Sequence, residues 1–437
     1  MKSRPLPEML RALRHRNFRL FFTGQGISLV GTWMTRLATA WLMWRLTQSP
    51  EMLGLLGFAG QVPTLLFTSL AGVWVDRLNR HHLLLATQIL AMLQSFTLAA
   101  LVFSGSIEIW HIFALQMFQG VVDAFDMPTR QSLLVDLIED RADLSNAVAL
   151  NSSMVNGARL IGPGIAGLLI AWAGEGWCFL IDGASYLAVI GSLLAIHVAV
   201  RPRTGERKRV LHELHDGLRY SFGFMPISAI LLLLAVIGLA GIPYRVLMPM
   251  IAEQTLHGGA HTLGFLMAAM GVGALMGALY LATRKTVLGL GRLIPVAAGL
   301  FGASLIGVGL SRWLLLSLLI MVMMGIGFMI HLAASNTLIQ TLVREDMRGR
   351  VMALYTTAIL GMATFGSALA GVIAGLVGAT WTMAGGGVVC ILGAVIFWYN
   401  LPEMREKVRP VYVEKGILPE AAEVLREATT LREEVER

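Results

Sequence analysis

Five charged side chains stand inside stretches of the chain that are otherwise apolar, and these are the first candidates for chemistry: Arg36, Asp123, Asp126, Arg159 and Arg245. An ionised group in hydrocarbon is costly, so such residues usually pair, line a wet cavity or serve a function. Carboxylates and guanidiniums can carry protons and hold polar ligands. The five residues therefore predict a polar site inside a membrane-embedded protein.

Polar side chains recur at helical spacing around these charges. Gln116, Gln119 and Asp123 are followed by Asp126 and Arg130 at steps of three and four, which places all five on one helical face. A polar stripe on an apolar helix must face protein or water, so it predicts a cavity. We expect these residues to line the substrate cavity: Gln25, Thr32, Arg36, Gln116, Gln119, Arg245, His331 and Asn336.

Alternatives remain open for several of these residues. Arg36 and Arg245 together would hold an anionic group or belong to an outer gate, but either also fits an arginine that reaches the lipid headgroups. His331 and Asn336 equally fit hydrogen-bonded packing residues.

Asp123 and Arg159 are candidates for proton coupling. Each lies eighteen residues from Arg141, near the centre of the turn between two predicted spans, so the two are expected at similar depth and within reach of each other. A carboxylate that alternates between wet and dry surroundings binds and releases a proton. A purely structural ion pair and a direct substrate contact are the alternatives.

The rest of the chain consists of elements that would hold this site in a bilayer. Hydrophobic residues make up 56% of the 437 residues and charged residues only 14%, against roughly a quarter charged in soluble domains. A span needs about 20 mostly apolar residues. Twelve predicted spans run approximately over residues 18–46, 51–74, 83–103, 110–134, 148–172, 178–200, 227–254, 262–283, 293–311, 313–342, 351–377 and 381–401.

Charge distribution predicts orientation and excludes some functions. We place 29 of the 34 Lys and Arg residues in the N-terminal segment, the even-numbered loops and the tail, which predicts that both termini are cytoplasmic. The net charge of +7 then reflects topology and attraction to anionic lipid rather than nucleic-acid binding. Cys178 and Cys390 are too few for a disulfide or metal framework, and no cofactor is expected.

An internal repeat divides the chain. Residues 147–177 match residues 351–381 at an offset of 204 with eight identities, among them Gly157/Gly361, Gly162/Gly366 and Gly167/Gly371. Such repeats place a substrate site between two halves near the bilayer midplane. The predicted organisation is an N-terminal segment, a six-helix bundle, a cytoplasmic linker, a second six-helix bundle and a charged tail, at 1–17, 18–200, 201–226, 227–401 and 402–437.

Two segments carry a family resemblance. The turn from Gly72 to Arg80, with Asp76 and Arg77 inside it, and the segment from Gly157 to Gly167 resemble motifs of the major facilitator superfamily. The chain is similar, more narrowly, to the bacterial branch that contains the enterobactin exporter and related efflux proteins. The resemblance implies an all-α fold of twelve transmembrane helices in two pseudo-symmetric bundles.

The resemblance also implies roles for matching residues. Gly72, Asp76, Arg77 and Arg80 would form a cytoplasmic latch, with Arg80 pairing to Asp126. Gly162, Pro163 and Gly167 match an antiporter motif that shapes helix packing. There are departures: Asn79 stands where the family has glycine, and Gln116 where many antiporters have arginine.

The function expected from these patterns is proton-coupled export of small amphipathic organic molecules by alternating access, in the inner membrane of a bacterium. The partners would be a small-molecule substrate, protons and lipid, and the protein would be a monomer. Uptake or facilitated diffusion of a metabolite is the alternative within transport. A transport-inactive sensor and a membrane-embedded enzyme are the alternatives outside it, but no clustered nucleophile, base or metal ligands favour an enzyme.

Overall fold

The structure, a computed structural model, describes residues 8–138, 140–196, 210–284 and 286–418, and in these ranges the chain is helical without strands. Residues 419–437 of the predicted tail and 201–209 of the predicted linker lie outside this description. Three of the predicted latch residues, Gly72, Asp76 and Arg77, also have surroundings that lie outside this description. The predicted all-α fold class is confirmed, whereas the domain boundaries stay predictions.

Six long helices follow one another in the first part of the chain. They are α1 (Arg16–Thr47), α2 (Pro50–Arg77), α3 (Arg80–Phe103), α4 (Ile109–Asp136), α5 (Leu144–Ala173) and α6 (Glu175–Leu194). Local capping sets their ends: the Ser49 hydroxyl accepts from the Met52 N–H at 3.2 Å, and the Asn79 side chain accepts from the N–H groups of His81 and His82. Asn79 therefore begins α3 as an N-cap, a role for which asparagine is well suited.

The remaining helices are interrupted more often. They are α7 (Val210–Gly223), α8 (Met225–Val236), α9 (Tyr244–Met250), α10 (Ala260–Ala282), α11 (Leu290–Leu310), α12 (Leu314–Leu342), α13 (Arg348–Thr356) and α14 (Met362–Glu414). Two π-helical turns, Ile237–Gly241 and Thr357–Gly361, lie between neighbouring helices and continue them into longer rods. A third, Ile251–Thr255, extends the C-terminal end of α9. Within α14, Gly378 has φ 85°, so two arms meet there at a kink.

Eight helical stretches of the described residues are long and apolar enough to cross a membrane: Arg80–Phe103, Leu144–Ala173, Glu175–Leu194, Met225–Thr255, Ala260–Ala282, Leu290–Leu310, Leu314–Leu342 and the kinked Glu345–Glu414. The predicted spans 18–46, 51–74 and 110–134 coincide with the long helices α1, α2 and α4, which are not among these eight stretches. The number twelve stays a prediction.

Two glycine pairs join the first six helices to the later ones. A Cβ on Gly167 of α5 would lie 2.8 Å from the Cα of Gly264 of α10, and a Cβ on Gly54 of α2 would lie 2.7 Å from the Cα of Gly371 of α14. Only glycine allows backbones this close, as is typical of packed membrane helices. At the same end of the molecule, the Trp44 indole donates to Glu253. This end is sealed.

The opposite end carries the turn between α2 and α3. Ser152 and Ser153 of α5 are exposed there, and so is Leu279 of α10. Closer to the sealed end, the same two helices pack tightly, with Leu160 against Gly271. The closest glycine contacts between α5 and α10 therefore lie towards the sealed end.

Candidate substrate cavity

A cavity of about 240 Å³ lies between the two groups of helices, walled by α1, α2, α4 and α9. It brings together five of the predicted cavity residues and the predicted proton-coupling acid: Thr32, Arg36, Gln116, Gln119, Arg245 and Asp123. They converge because polar residues at helical spacing share one face of each rod. Substrate contact by these residues stays a prediction.

Three predicted cavity residues lie elsewhere. Gln25 and His331 are each 1% exposed and buried among helices, and Asn336 accepts a hydrogen bond from Gln340 at 2.7 Å. None of the three lines this cavity.

The cavity also has lining residues that the sequence interpretation missed. They are Trp33, Thr35, Gln61, Gln94, Asp182 and Tyr186. Thr35 lies three residues from Thr32 and was within reach of the polar-stripe argument. Gln61 is a polar residue in the middle of the second apolar run, and that position is its signal in the sequence.

Asp123 pairs with Arg36 and not with Arg159. The Arg36 Nη2 lies 3.5 Å from the Asp123 Oδ2, and the Gln119 amide donates to the other carboxylate oxygen at 2.8 Å. The expected partner was wrong because α5 packs on α10 and α1 rather than on α4, its neighbour in the chain. Equal depth in a sequence hairpin does not guarantee contact when another helix lies between.

Arg159 and Arg245 share a smaller cavity of about 20 Å³ next to the main one. The Arg159 guanidinium lies 5.1 Å from the Trp33 ring centroid, and its buried Nε makes no hydrogen bond to the described part of the chain. Arg245 donates to the Tyr244 hydroxyl at 3.2 Å. Neither arginine has a carboxylate within 4.0 Å among the residues that the structure describes.

Asp182 of α6 is an enclosed acid in the cavity wall. Its side chain is 1% exposed, and its Oδ2 accepts from the hydroxyls of Thr35 and Ser95, each at 2.8 Å. Its Oδ1 has no hydrogen bond within the described chain and abuts Gly31, where a Cβ would lie 2.7 Å from it. The signal that would have found Asp182 was simply an aspartate within the predicted span 178–200.

The predicted latch uses another acid on α4. Arg80 donates to the Asp136 Oδ2 at 3.0 Å, whereas Asp126 pairs with Arg130 and accepts from Thr87 at 3.1 Å. The predicted Arg80–Asp126 pair was wrong for a reason of depth. Asp126 lies ten residues before Asp136, about 15 Å further up the helix at a rise of about 1.5 Å per residue.

The segment from Gly162 to Gly167 lies between α1 and α10. A Cβ on Gly162 would meet the Trp33 Cβ at 2.6 Å, Pro163 lines both cavities, and Gly167 contacts α10 as described above. The predicted packing role is therefore placed at the junction of the two groups of helices, where it stays a prediction.

A cavity with charged and polar lining residues lies between two groups of helices, and comparison with known proteins defines the class of protein: a transporter of the major facilitator fold, and not an enzyme. Residues 8–420 match the family described as "Transmembrane secretion effector". The chain belongs to this family, which confirms the predicted superfamily and its efflux branch.

The relatives agree with this assignment. The chain is 24% identical to the staphyloferrin A transporter of Staphylococcus aureus over 384 residues, which are 87% of this chain and 95% of that protein. It is 25% identical to the multidrug efflux pump Tap of Mycolicibacterium fortuitum over 391 residues, 86% and 93% of the two chains. A bacterial homologue of the human lysosomal transporter Spinster shares the fold, with a TM-score of 0.68, 14% identity and coverage of 90% and 98%.

Proposed function

We propose that this protein exports small amphipathic organic molecules across the bacterial inner membrane, in exchange for protons, by alternating access. The observation that carries the proposal is the polar cavity that lies between the two groups of helices and is sealed at one end by glycine pairs. Relatives that transport a siderophore or pump several drugs support an export direction. In this reading the two groups are the predicted bundles 18–200 and 227–401, acting in a monomer.

The orientation follows from the distribution of Lys and Arg. We place the α2–α3 turn, with its basic residues, on the cytoplasmic side together with both termini. The sealed end then faces outward, and the cavity is an inward-facing one ready to load substrate from the cytoplasm.

Asp123 is our proposed proton carrier. It is 36% exposed towards the cavity and its only salt bridge within the described residues is the one to Arg36. Protonation of Asp123 would release Arg36, and closure of the cavity would change the solvation of both groups. Arg159 does not pair directly with Asp123. Its guanidinium, 5.1 Å from the Trp33 ring centroid, contributes positive charge to the site.

The latch is proposed to tie the α2–α3 turn to α4. Arg80 to Asp136 is its described ion pair, and Gly72, Asp76 and Arg77 are its proposed members on the other side of the turn. Breaking these contacts would let the cytoplasmic ends of the helices rearrange.

Everted membrane vesicles from cells that express the protein test the proposal. Fluorescent amphipathic dyes should accumulate inside them when the lumen is acidic, and accumulation should collapse when the pH gradient is dissipated. Asp123→Asn should abolish gradient-driven accumulation while exchange of dye for dye continues.

Two other results would contradict the proposal. Movement of dye that is independent of the gradient in the wild type would favour facilitated diffusion. Absence of any movement, with correctly inserted protein, would favour a sensor.

A further inference from the structure

Positive charge is concentrated where α1, α5 and α9 meet. The guanidinium carbons of Arg36 and Arg159 lie 5.0 and 5.1 Å from the centroid of the Trp33 ring. Arg245 lines both the main cavity and the small one that it shares with Arg159. Two guanidiniums, those of Arg36 and Arg159, thus lie close to the Trp33 ring. A third arginine, Arg245, lines the same cavities.

Negative charge does not balance these groups. Asp123 neutralises only Arg36, and through a long contact of 3.5 Å. Asp182, the other acid in the cavity wall, accepts hydrogen bonds from two hydroxyls and has no basic nitrogen within 4.0 Å in the described chain. Arg159 and Arg245 remain without an acidic partner among the described residues. Charges inside a membrane protein are normally paired, so two guanidiniums without an acidic partner indicate a site that binds an anion.

We propose that the cavity takes an organic anion: a molecule with a carboxylate, sulfonate or phosphate group on an apolar or aromatic body. The anionic group would be held by Arg36, Arg159 and Arg245, since guanidiniums bind such groups through paired hydrogen bonds. The body would lie against Trp33 and the apolar wall of Leu53, Leu56 and Met267. This inference rests on the proposed transport function and names its substrate class.

Asp123 would act as the competitor of the bound anion. Its contact with Arg36 is long, and the two side chains are 36% and 49% exposed, so an incoming anion can displace the carboxylate without first uncovering it. Removing the charge of Asp123 should therefore strengthen anion binding. If the cavity took cations instead, Asp123 would be the attracting group and the same change would weaken binding.

A matched set of probes tests the charge preference. Binding of 2-naphthoate, 2-naphthylmethanol and 2-naphthylmethylammonium, which share one ring system and differ in charge, is measured by calorimetry. The sample is the full chain in phosphatidylcholine nanodiscs, with empty nanodiscs subtracted. We expect 2-naphthoate to bind most tightly, and Arg36→Gln or Arg245→Gln to weaken it roughly tenfold or more, the effect of losing one charge-assisted contact.

Two further variants keep the test decisive. Asp123→Asn should tighten 2-naphthoate binding, a gain that misfolding cannot produce. Arg312→Gln should leave binding unchanged, because Arg312 is exposed in the turn between α11 and α12 and does not line the cavity.

Tighter binding of the ammonium probe, or naphthoate binding that survives both arginine variants, would overturn the inference. Because binding at equilibrium needs no gradient, failure of transport in vesicles would instead count against the proposed function alone.

Discussion

The two groups of helices share one cavity but contribute different chemistry to it. The first group supplies Arg36, Asp123 and Asp182 together with the glutamines, whereas the second supplies Arg245 as its one charged lining residue among the described positions, with mostly apolar neighbours. The first group also holds the buried ion pairs of Arg80 and Arg130. Charge-dependent steps are therefore concentrated in α1 to α6.

The second group differs in its backbone. All three π-helical turns of the described chain lie there, at Ile237–Gly241, Ile251–Thr255 and Thr357–Gly361, next to helices that wall the cavity or contact α2. π turns are rare and are found frequently at functional sites. The comparison indicates that one half carries the charges on regular helices, while the other supplies irregular helices suited to a change of shape.

Reversing the Arg80 charge should have the largest effect on the first half. The Arg80 side chain is 7% exposed and Asp136 is 29% exposed, so Arg80→Asp leaves two acids facing each other at a cost of roughly 2–3 kcal/mol. We expect transport in vesicles to be lost, and to return in the double variant Arg80→Asp with Asp136→Arg.

The control for this swap is a surface pair of the second half. Arg344 and Asp346 are 70% and 58% exposed, and Arg344 donates to both carboxylate oxygens of Asp346, at 3.1 and 2.6 Å. Exchanging these two should change transport little. Equal losses from both swaps, or no rescue of the first, would remove the distinction between the halves.

A substitution at the junction between the halves should have the next largest effect. Gly167→Val places side-chain atoms against the α10 backbone, so it should weaken the sealed end by about 1–3 kcal/mol as overpacking does. Crosslinking of cysteines introduced across that end should then slow. Gly157→Ala on the same helix is the control, since a Cβ there meets nothing within 4 Å; an equal effect of both variants would contradict a close-packed seal.

Much of the fold was predictable from the sequence, because apolar length alone defines a membrane helix. The predicted spans 83–103 and 262–283 correspond to Arg80–Phe103 and Ala260–Ala282 within about three residues. The π turns were not predictable, since they depend on packing against other helices rather than on local composition.

The site was predictable only as far as single helices go. The stripe on α4 predicted a cavity wall, and Gln116, Gln119 and Asp123 line the main cavity, where their contact with substrate stays a prediction. The partners of Asp123 and Arg80 were wrong because helical spacing says which residues share a face but not which helix that face meets. Asp182 was missed for a different reason: it stands alone in its span and forms no stripe.

Asp182 offers a smaller effect that separates charge from hydrogen bonding. Its described contacts are hydrogen bonds from two hydroxyls, which the amide oxygen of asparagine also accepts, and no basic nitrogen lies within 4.0 Å in the described chain. Asp182→Asn should then change thermal stability by less than about 1 kcal/mol, because both hydrogen bonds are kept and no ion pair is lost.

Glu175→Gln is the matched comparison on the same helix. Glu175 pairs with Arg45 at 2.7 Å, so Glu175→Gln should lower thermal stability more than Asp182→Asn does. A larger loss at Asp182 than at Glu175 would mean that the Asp182 carboxyl stabilises the fold by more than its two hydrogen bonds.

His331 of the second half should show the smallest effect, and one of opposite sign. It is 1% exposed, and within the described chain the contact of its ring with the Ile294 backbone falls short of a well-aligned hydrogen bond, so burial of the imidazole lowers the stability of the fold. His331→Leu should therefore raise thermal stability, by about 1 kcal/mol, with transport unchanged. If transport instead fell with stability intact, the second half would hold a chemical role as well as a structural one, and the division between the two halves would have to be redrawn around α12.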